Sequence, residues 1–316
     1  MSDLAKHVPV MAKEVVALTA PQKNENVVDG TLGAAGHAQL FLNETGPTGR
    51  LLGFEVDSAA YKMAQETLLP FGARFKIVRK NFRELDNVLE NEKDFVPHVD
   101  IVFLDLGLSS MLIEQSHKGI SFQQDGPLDM RMGAEEGSFH PSNLRSRNNT
   151  LQQLREIRGE DLTAYDLVNF LSQKDLSETL YQYDVRNARQ VAKYIVMNRD
   201  KQRLYTTQDL VHAAFRGPRH GRSHPATTTF QALRMIVNRE VESLEAALKA
   251  AWKHLAPGGR ITVLSYHSIE DRTVKNFFKT LDGEVLTKKP LTPLWEEVKV
   301  NPRGRSAKLR AIKKSV

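Results

Sequence analysis

The stretch from Val27 to His37 reads V-V-D-G-T-L-G-A-A-G-H and combines an apolar run, a carboxylate and three glycines. The two valines suit a buried strand, and the glycines permit positive φ angles or a close approach of backbone to a ligand. A helix that begins directly afterwards would aim backbone N–H groups at that ligand. The pattern is typical of a cofactor-binding strand-turn-helix, with an ordinary glycine-rich turn as the alternative.

The position of the acid narrows the class of cofactor. A dinucleotide fingerprint reads G-x-G-x-x-G and carries its acid at the end of the second strand. Here Asp29 ends the first strand, and the glycines at 30, 33 and 36 are spaced evenly. A carboxylate at this point suits a cationic amino acid group better than a pyrophosphate. S-adenosylmethionine carries such a group, so the loop favours a methyltransferase over a dehydrogenase.

A second candidate for chemistry is Asp105, which ends a later apolar run and precedes L-G-L-S-S. Methyl transfer to an exocyclic amine needs in-line placement of the nitrogen and acceptors for its protons. Asp105 and the carbonyls after it suit that role, and we take Asp105 and Ser109 as the catalytic candidates. Two alternatives for Asp105 stay open: it caps the next turn, or it holds the adenine amine of the cofactor.

The composition excludes several classes of protein and site. The 316 residues include no cysteine, which excludes disulfides, thiolate metal sites and cysteine nucleophiles and fits a reducing compartment. The histidines at 37, 224 and 267 lack the spacing of metal ligands, so we expect no structural metal. No stretch reaches about 18 apolar residues, so we expect no membrane span. These features predict a soluble, cytoplasmic protein.

Strand and helix patterns alternate in the first third of the chain. Apolar runs predict strands at 26–29, 51–55, 75–78 and 99–105, with helical patterns at 38–44, 59–68 and 84–89 between them. This alternation predicts βαβ units and a parallel sheet. The ligand crevice of such a sheet lies beyond the carboxyl ends of its strands, where residues 33–37, Glu55, Phe82 and Asp105 fall.

The alternation stops at about residue 111, and only helical patterns follow up to residue 215. A long helix is then predicted at 229–254, a turn at 255–259 and a fifth strand at 261–266. Residues 284–289 and 307–313 suit a closing antiparallel pair. We therefore predict an α/β fold with a Rossmann-like, methyltransferase-type sheet formed by residues 1–110 and 216–316. An all-helical domain is inserted at 111–215.

Basic residues number 44 against 38 acidic residues, and they are placed unevenly. One group lies in the loop 216–224 and another in the C-terminal residues 303–314. Clustered cations are typical of nucleic-acid binders, although a solvated basic face is the alternative. The helix after His224 carries Gln231, Arg234 and Asn238 at one-turn spacing, so one face could meet phosphate or a base edge. Aromatic residues are only 7% of the chain, so no base-stacking platform is evident.

Six motifs in order closely resemble the bacterial small-subunit rRNA cytosine-N4 methyltransferases of the RsmH/MraW family. They cover nearly the whole chain: D-G-T-L-G-A-A-G-H at 29–37, L-D-L-G-L-S-S at 104–110, G-I-S-F-Q-Q-D-G-P-L-D-M-R-M at 119–132, H-P-A-T-T-T-F-Q-A-L-R-M-I-V-N at 224–238, P-G-G-R-I-T-V-L-S-Y-H-S-I-E-D-R at 257–272 and N-P-R-G-R-S-A-K-L-R at 301–310.

The resemblance implies a class I methyltransferase sheet with an inserted helical domain that recognises RNA. It implies S-adenosylmethionine as methyl donor and the N4 amine of a cytidine in 16S rRNA of the small ribosomal subunit as acceptor. A homodimer is left open. The implied cofactor contacts are Ala35, Gly36, His37, Glu55, which would hold the ribose hydroxyls, Phe82 and Asp105. The expected RNA contacts are Arg131, His224, Arg234 and Asn238.

Several residues depart from the pattern of the family. Ala35 stands where glycine is usual, which matters if the position needs a positive φ, and Leu112 replaces a cofactor-contacting glutamine. The run D-V-R-N at 184–187 replaces G-E-E-R. Ala35 and Leu112 motivate an alternative, an rRNA-binding assembly factor with weak or no turnover. A DNA amino-methyltransferase is a further alternative, although L-D-L-G-L-S-S lacks the proline-aromatic motif expected of that class.

Overall fold

A computed structural model describes residues 9–107, 116–215, 224 and 226–316. The chain forms two compact units. The first, which we call the sheet unit, comprises Met1–Ser109 and Val241–Val316. The second, the helical unit, comprises Ser110–Glu240. No helix among the described residues combines the length and the apolar character needed to cross a membrane.

The sheet unit is built on one sheet with the strand order β3-β2-β1-β4-β5-β7-β6. Strands β1 to β5 pair in parallel, and β7 runs antiparallel to both β5 and β6. This arrangement confirms the predicted class I methyltransferase sheet and its closing antiparallel pair. The strands are β1 (Val27–Asp29), β2 (Leu51–Phe54), β3 (Phe75–Val78), β4 (Val99–Asp105), β5 (Leu255–Ser265), β6 (Gly283–Val285) and β7 (Lys308–Lys314).

Helices cover both faces of this sheet because the strands are apolar on both sides. Val27, Leu51 and Ile101 are neighbours in the sheet and share one buried cluster, whereas the residue after each of them belongs to the cluster on the other face. The helices of the first segment are α1 (Ala12–Thr19), α2 (Gly36–Glu44), α3 (Ser58–Leu68) and α4 (Leu85–Asn91). The sequence patterns did not predict α1.

The strand order reverses at β1, whose two neighbours are β2 and β4. The chain moves from β1 outward to β2 and β3 and then crosses back to β4 on the other side of β1, which opens a crevice beyond the carboxyl ends of β1 and β4. Asp29 is the last residue of β1, and Asp105 is the last residue of β4. The fold thus places the glycine-rich loop and the catalytic candidate Asp105 on the two sides of the crevice.

The helical unit contains only isolated bridges and no regular strand among its described residues. Three of its helices begin with reciprocal capping boxes, at Thr150, Thr163 and Thr206. Each box satisfies backbone N–H groups that a helix start leaves without partners. The helices are α5 (Leu151–Arg158), α6 (Ala164–Phe170), α7 (Gln173–Gln182), α8 (Ala188–Arg199), α9 (Thr207–Ala214) and α10 (Ala226–Val237).

The prediction of one long helix at 229–254 was wrong. Helix α10 ends at Val237, and α11 (Glu240–His254) begins after a break in which Arg239 has a φ of 51°. Asn238 lies at the break, where its side chain donates to Arg234 O in the last turn of α10 and also bonds the backbone of Met130 and Met132. No glycine or proline marks this site in the sequence.

The second boundary between the units also differs from the predicted one at residue 216. Helix α10 belongs to the helical unit, because Phe230 and Leu233 are buried in its apolar core. The break at Asn238 separates this helix from α11, which continues into the sheet unit. The C-terminal part of the sheet unit accordingly begins at Val241.

The remaining helices of the sheet unit are α12 (Ser268–Phe278) and a short helix, α13 (Trp295–Val300), which the sequence patterns did not predict. The turn expected at 255–259 is instead the irregular start of β5, where Gly258 has a φ of 77°. The pairing of β4 with β5 shifts register between Val99 and Ile101, beside this irregular stretch.

Candidate active site

The glycine-rich loop is fixed between the strands on both sides of β1. Gly30 N–H donates to Phe103 O at 3.0 Å, and Leu32 N–H donates to Phe54 O at 3.0 Å. A Cβ at position 30 would lie 2.4 Å from Leu104 Cδ2 and 3.2 Å from Phe82 Cβ. Only glycine fits this position, and its small size lets Phe82 lie against the loop.

Three carboxylates lie at the carboxyl ends of three adjacent strands. Thr31 connects two of them, because its N–H donates to Asp29 Oδ1 at 3.0 Å and its Oγ1 accepts from Asp105 N–H at 2.5 Å. Glu55, directly after β2, accepts from Gly33 N–H at 2.9 Å and from Asp57 N–H at 2.7 Å. The loop is therefore bonded to all three strand ends.

Burial disfavours the charged forms of Asp29 and Glu55. Burial raises the pKa of Asp29 to about 7, and the negative charges of Asp105 and Glu55 add to the rise against the opposing hydrogen bond from Thr31. Burial also raises the pKa of Glu55, with the N–H groups of Asp57 and Gly33 acting in the opposite direction. A cationic ligand would stabilise the ionised forms, so the site favours a ligand with a positive charge.

His37 lies in the first turn of α2, with its ring centre 4.7 Å from that of Phe103. Its Nε2 lies 3.0 Å from Val10 O, and because a carbonyl only accepts, Nε2 carries the hydrogen. Burial lowers the pKa of His37, against the opposing charge of Asp105, which favours the neutral ring. Its Nδ1 then presents a lone pair 3.7 Å from Asp105 Oδ2. Two acceptors face each other there, an arrangement suited to an N–H donor.

Tyr266, just after β5, is a site residue that sequence reasoning missed. Its ring lies 2.8 Å from where a Cβ on Gly107 would be, and Asp105 Oδ1 lies 3.2 Å from the same point. Burial and the charge of Asp105 raise the pKa of Tyr266, so the hydroxyl stays a donor. Glu270 Oε2 accepts from the N–H groups of Tyr266 and His267 at 2.8 and 3.0 Å and fixes this turn.

The segment Pro9–Met11 is a second feature that the sequence did not reveal. A Cβ on Gly36 would lie 2.8 Å from Pro9 Cγ, so glycine is needed where this segment crosses the start of α2. The segment also supplies the carbonyl that holds His37, and Met11 N–H donates to Glu297 Oε1 at 2.5 Å. It thereby connects the cofactor loop to α13.

The expected RNA-contacting residues Arg131 and Arg234 both lie in ion pairs within the helical unit. Arg131 donates to Asp129 at 2.6 Å and to Asp161 at 2.9 Å. Arg234 makes a two-bond pair with Glu240, at 2.7 and 2.9 Å, and is only 8% exposed. Both arginines fix the local backbone, and their contact with RNA stays a prediction.

Asn238 and His224 also have internal partners. Asn238 donates to Met130 O at 2.7 Å and accepts from Met132 N–H at 2.8 Å. His224 Nδ1 accepts from Ala226 N–H at 3.1 Å, and its ring lies 4.9 Å from that of Phe122. The second catalytic candidate, Ser109, lies outside the described residues, as do Leu112 and residues 216–223 of the basic loop.

Among the described residues, one group has the geometry of potential metal ligands: Asp86, Glu90 and His254. Lys253 Nζ lies 2.7 Å from Asp86 Oδ1 and 3.4 Å from Glu90 Oε1, so a cation of the chain already neutralises these carboxylates. The group is partly exposed, and it is separate in sequence from the histidines considered above.

Comparison with known proteins assigns the family. A family model described as the MraW methylase family matches residues 4–144 and 146–315. The chain belongs to the MraW methylase family. It is 41% identical to the ribosomal RNA small subunit methyltransferase H of Geobacter sulfurreducens, over 98% of this chain and 98% of that protein. It is 38% identical to the protein of the same name from Geotalea uraniireducens, over 99% of this chain and 100% of that protein.

Membership of the MraW methylase family makes the chain a methyltransferase with S-adenosylmethionine as its methyl donor, as the sequence predicted. The chemistry of the site fits this donor. Asp29 and Asp105 offer negative charge to a sulfonium and an ammonium group, and Glu55 offers oxygens that still hold lone pairs for hydroxyl groups. Gly33 has no atom within 4 Å of a built Cβ, so its side of the loop is open to a ligand.

Ala35 adopts the positive φ, 67°, that glycine adopts easily. A left-handed conformation costs alanine about 1 kcal/mol, but the methyl group of Ala35 is fully buried in the core. We expect Ala35→Gly to change the free energy of unfolding by less than about 1 kcal/mol, because the two effects oppose each other. Ala35→Val should cost about 3 kcal/mol, since β-branching disfavours positive φ.

Urea denaturation of the two variants measures these changes. Isothermal titration should also give the same affinity for S-adenosylmethionine for Ala35→Gly and the parent, within about threefold. A tenfold gain from glycine would contradict this expectation, because it would show that the alanine distorts the donor site.

Tyr266→Phe removes the hydroxyl beside Asp105 and leaves the ring in place. Because a donor beside a carboxylate helps to orient it, we expect the single-turnover rate of methyl transfer to fall about tenfold. Tyr165→Phe, which removes a buried hydroxyl from the helical unit, is the control. An unchanged single-turnover rate for Tyr266→Phe would limit the hydroxyl to a structural role.

Proposed function

We propose that the protein transfers a methyl group from S-adenosylmethionine to the N4 amine of a cytidine in 16S rRNA of the small ribosomal subunit. Relatives with about 40% identity over nearly the whole chain carry the name ribosomal RNA small subunit methyltransferase H, which supports this substrate. The observation that carries the proposal is the acceptor pair formed by Asp105 and His37 beside the loop. An exocyclic amine has hydrogens to donate to such a pair.

The proposed mechanism depends on positioning. The bound donor supplies an electrophilic methyl group, and the chain orients the cytidine amine for in-line attack. Asp105 accepts a hydrogen bond from one N4–H group, and Nδ1 of neutral His37 helps to orient the amine. Tyr266 holds the Asp105 carboxylate in place, and the proton released after transfer passes to Asp105 or water. N4 of cytosine is a weak base, so placement supplies most of the rate, and no covalent intermediate with the enzyme is needed.

The cofactor contacts assigned by the family pattern stay proposals. Glu55 would accept from the ribose hydroxyls, Phe82 would lie against the adenine, and the loop of Ala35, Gly36 and His37 would surround the amino acid part. Asp29 extends this set, because it is the buried carboxylate nearest the start of the loop. Its charge suits the ammonium group of the donor.

The rival functions are less favoured. Both the family model and the relatives are named as methylases or methyltransferases, which weighs against an assembly factor without turnover and against a DNA substrate. We further propose that the helical unit recognises the RNA and that the reaction takes place in the cytoplasm, where ribosomes are assembled. A homodimer stays a prediction.

Donor binding should depend on pH through Asp29. With a pKa of about 7, this carboxyl is largely protonated at pH 5.5 and must lose its proton before it can attract a cation. We therefore expect the affinity for S-adenosylmethionine to fall roughly tenfold from pH 7 to pH 5.5, because only the ionised fraction binds well. Isothermal titration in buffers of different ionisation enthalpy should show proton release on binding. Asp29→Asn should abolish both effects; if they persist in that variant, another group is responsible.

The reaction itself can be tested with small ribosomal subunits from a strain that lacks the native modification. Incubation with tritiated S-adenosylmethionine, digestion of the RNA and separation of nucleosides should give labelled N4-methylcytidine. Asp105→Ala should lower the rate at least a hundredfold, because it removes the main acceptor for the amine hydrogen. Label in another nucleoside, or no label despite donor binding, would reject this substrate.

A further inference from the structure

Residues 288–305, which we call the crevice-edge strip, expose large apolar side chains beside basic ones. Leu294 is 64% exposed, Trp295 66% and Val300 81%. Large apolar side chains that are exposed close together in the chain are candidates for an interaction surface. The family pattern quoted above touches this strip only at 301–305, so the cluster at 294–300 has no role in it.

The strip lies at the same edge of the sheet as the active site. It connects β6 to β7, and β7 begins at Lys308, which pairs with Ser265 at the carboxyl end of β5. Asp105 pairs with Leu264, the residue before Ser265. The connection therefore crosses the carboxyl edge of the sheet, where the carboxylates of the crevice are found.

Hydrogen bonds hold the strip in place. Leu291 and Leu309 exchange two backbone hydrogen bonds, at 3.0 and 2.9 Å. Glu297 accepts from Met11 N–H, next to the Val10 carbonyl that binds His37. The negative charge of Glu297 also acts on His37, where it opposes the lowering of the pKa by burial, and on Tyr266, whose pKa it helps to raise. The exposed side chains thus sit on a support that is bonded to the active site.

The strip carries an exposed indole and an excess of cations, which suits a polyanion that also has flat aromatic bases. Lys299 Nζ lies 5.4 Å from the ring centre of Trp295, so a cation accompanies the exposed indole. The strip has five basic residues against two acidic ones, and one of the acids, Glu297, bonds Met11. All five basic residues are exposed: Lys288, Lys289, Lys299, Arg303 and Arg305.

We infer that the crevice-edge strip binds single-stranded RNA, with Trp295 stacking on a base near the target cytidine and the basic residues contacting phosphates. The inference rests on the RNA substrate proposed above and deepens it. Bases stack on exposed aromatic rings with little sequence preference, and cations along the same surface follow the backbone. The target cytidine must unstack from its neighbours to enter the crevice. A stacking surface that holds the adjacent nucleotides would stabilise this unstacked state.

The chain has only two tryptophans, so fluorescence can report on Trp295 directly. Trp252→Phe leaves Trp295 as the single indole, and stacking of a base should quench its emission. We expect saturable quenching by a ten-nucleotide oligocytidine in low salt, and weaker binding as salt rises, because phosphate contacts release counterions. RNA that binds the protein, as seen by filter retention, without any quenching would overturn the inference.

Steady-state kinetics with small ribosomal subunits provides the second test. Trp295→Ala should raise KM for the subunits about tenfold and leave the affinity for S-adenosylmethionine unchanged, because stacking energy is lost only on the RNA side. Trp295→Phe should recover most of the loss. Leu69→Ala is the matched control. Leu69 is 73% exposed, but it lies just before β3, the outermost strand on the side of the sheet opposite to β6.

Three outcomes separate the possibilities. An unchanged KM for Trp295→Ala, with the parent active, would overturn the inference and leave the proposed function intact. A change in sedimentation of Trp295→Ala would also overturn it and assign the strip to a second copy of the chain. If the parent labels no cytidine, the proposed function fails, and RNA quenching of Trp295 still decides whether the strip binds RNA.

Discussion

The sheet unit brings three carboxylates to one edge of its sheet, and hydrogen bonds must stabilise them there. Asp29, Glu55 and Asp105 end or follow adjacent parallel strands. Burial opposes the ionisation of Asp29 and Glu55, and the charges of Asp105 and Glu55 further oppose that of Asp29. The backbone N–H groups of Thr31 and Gly33 offset part of that cost. A cationic donor would offset more of it. Without a ligand, the buried carboxylates of the binding site cost free energy, and a bound cation lowers that cost.

Much of the sheet could be predicted from the sequence because its signals are local. Short apolar runs that alternate with amphipathic helices leave few topologies, and the reversal at β1 then fixes where the ligand lies. The acid at the end of β1 and the glycine spacing indicated the class of cofactor. The aspartate at the end of β4 could be identified as a candidate for the same reason, since strand ends converge at one edge.

The parts that sequence reasoning missed all depend on partners distant in the chain. Tyr266 reaches Asp105, and Met11 reaches Glu297 across 286 positions, without any motif that would announce the contact. Arg234 and Asn238 show the converse case. Their spacing suggested a face for RNA, and the fold shows that each also has a partner inside the helical unit. A polar residue on a helix does not reveal whether its partner is internal or external until the fold is known.

Two departures from the family pattern concern the conformation of the backbone. Ala35 and Asp184 stand where glycine is usual, and both adopt positive φ angles, 67° and 62°. The backbone at these positions is therefore set by its surroundings. Ala35 N–H bonds Leu32 O, and Asp184 N–H bonds Tyr181 O, so each turn closes through a bond that does not depend on the side chain. A non-glycine residue costs about 1 kcal/mol at such a position, which a well-bonded loop tolerates. A missing glycine is consequently weak grounds for inferring a lost activity, and the assembly-factor alternative loses its support from Ala35.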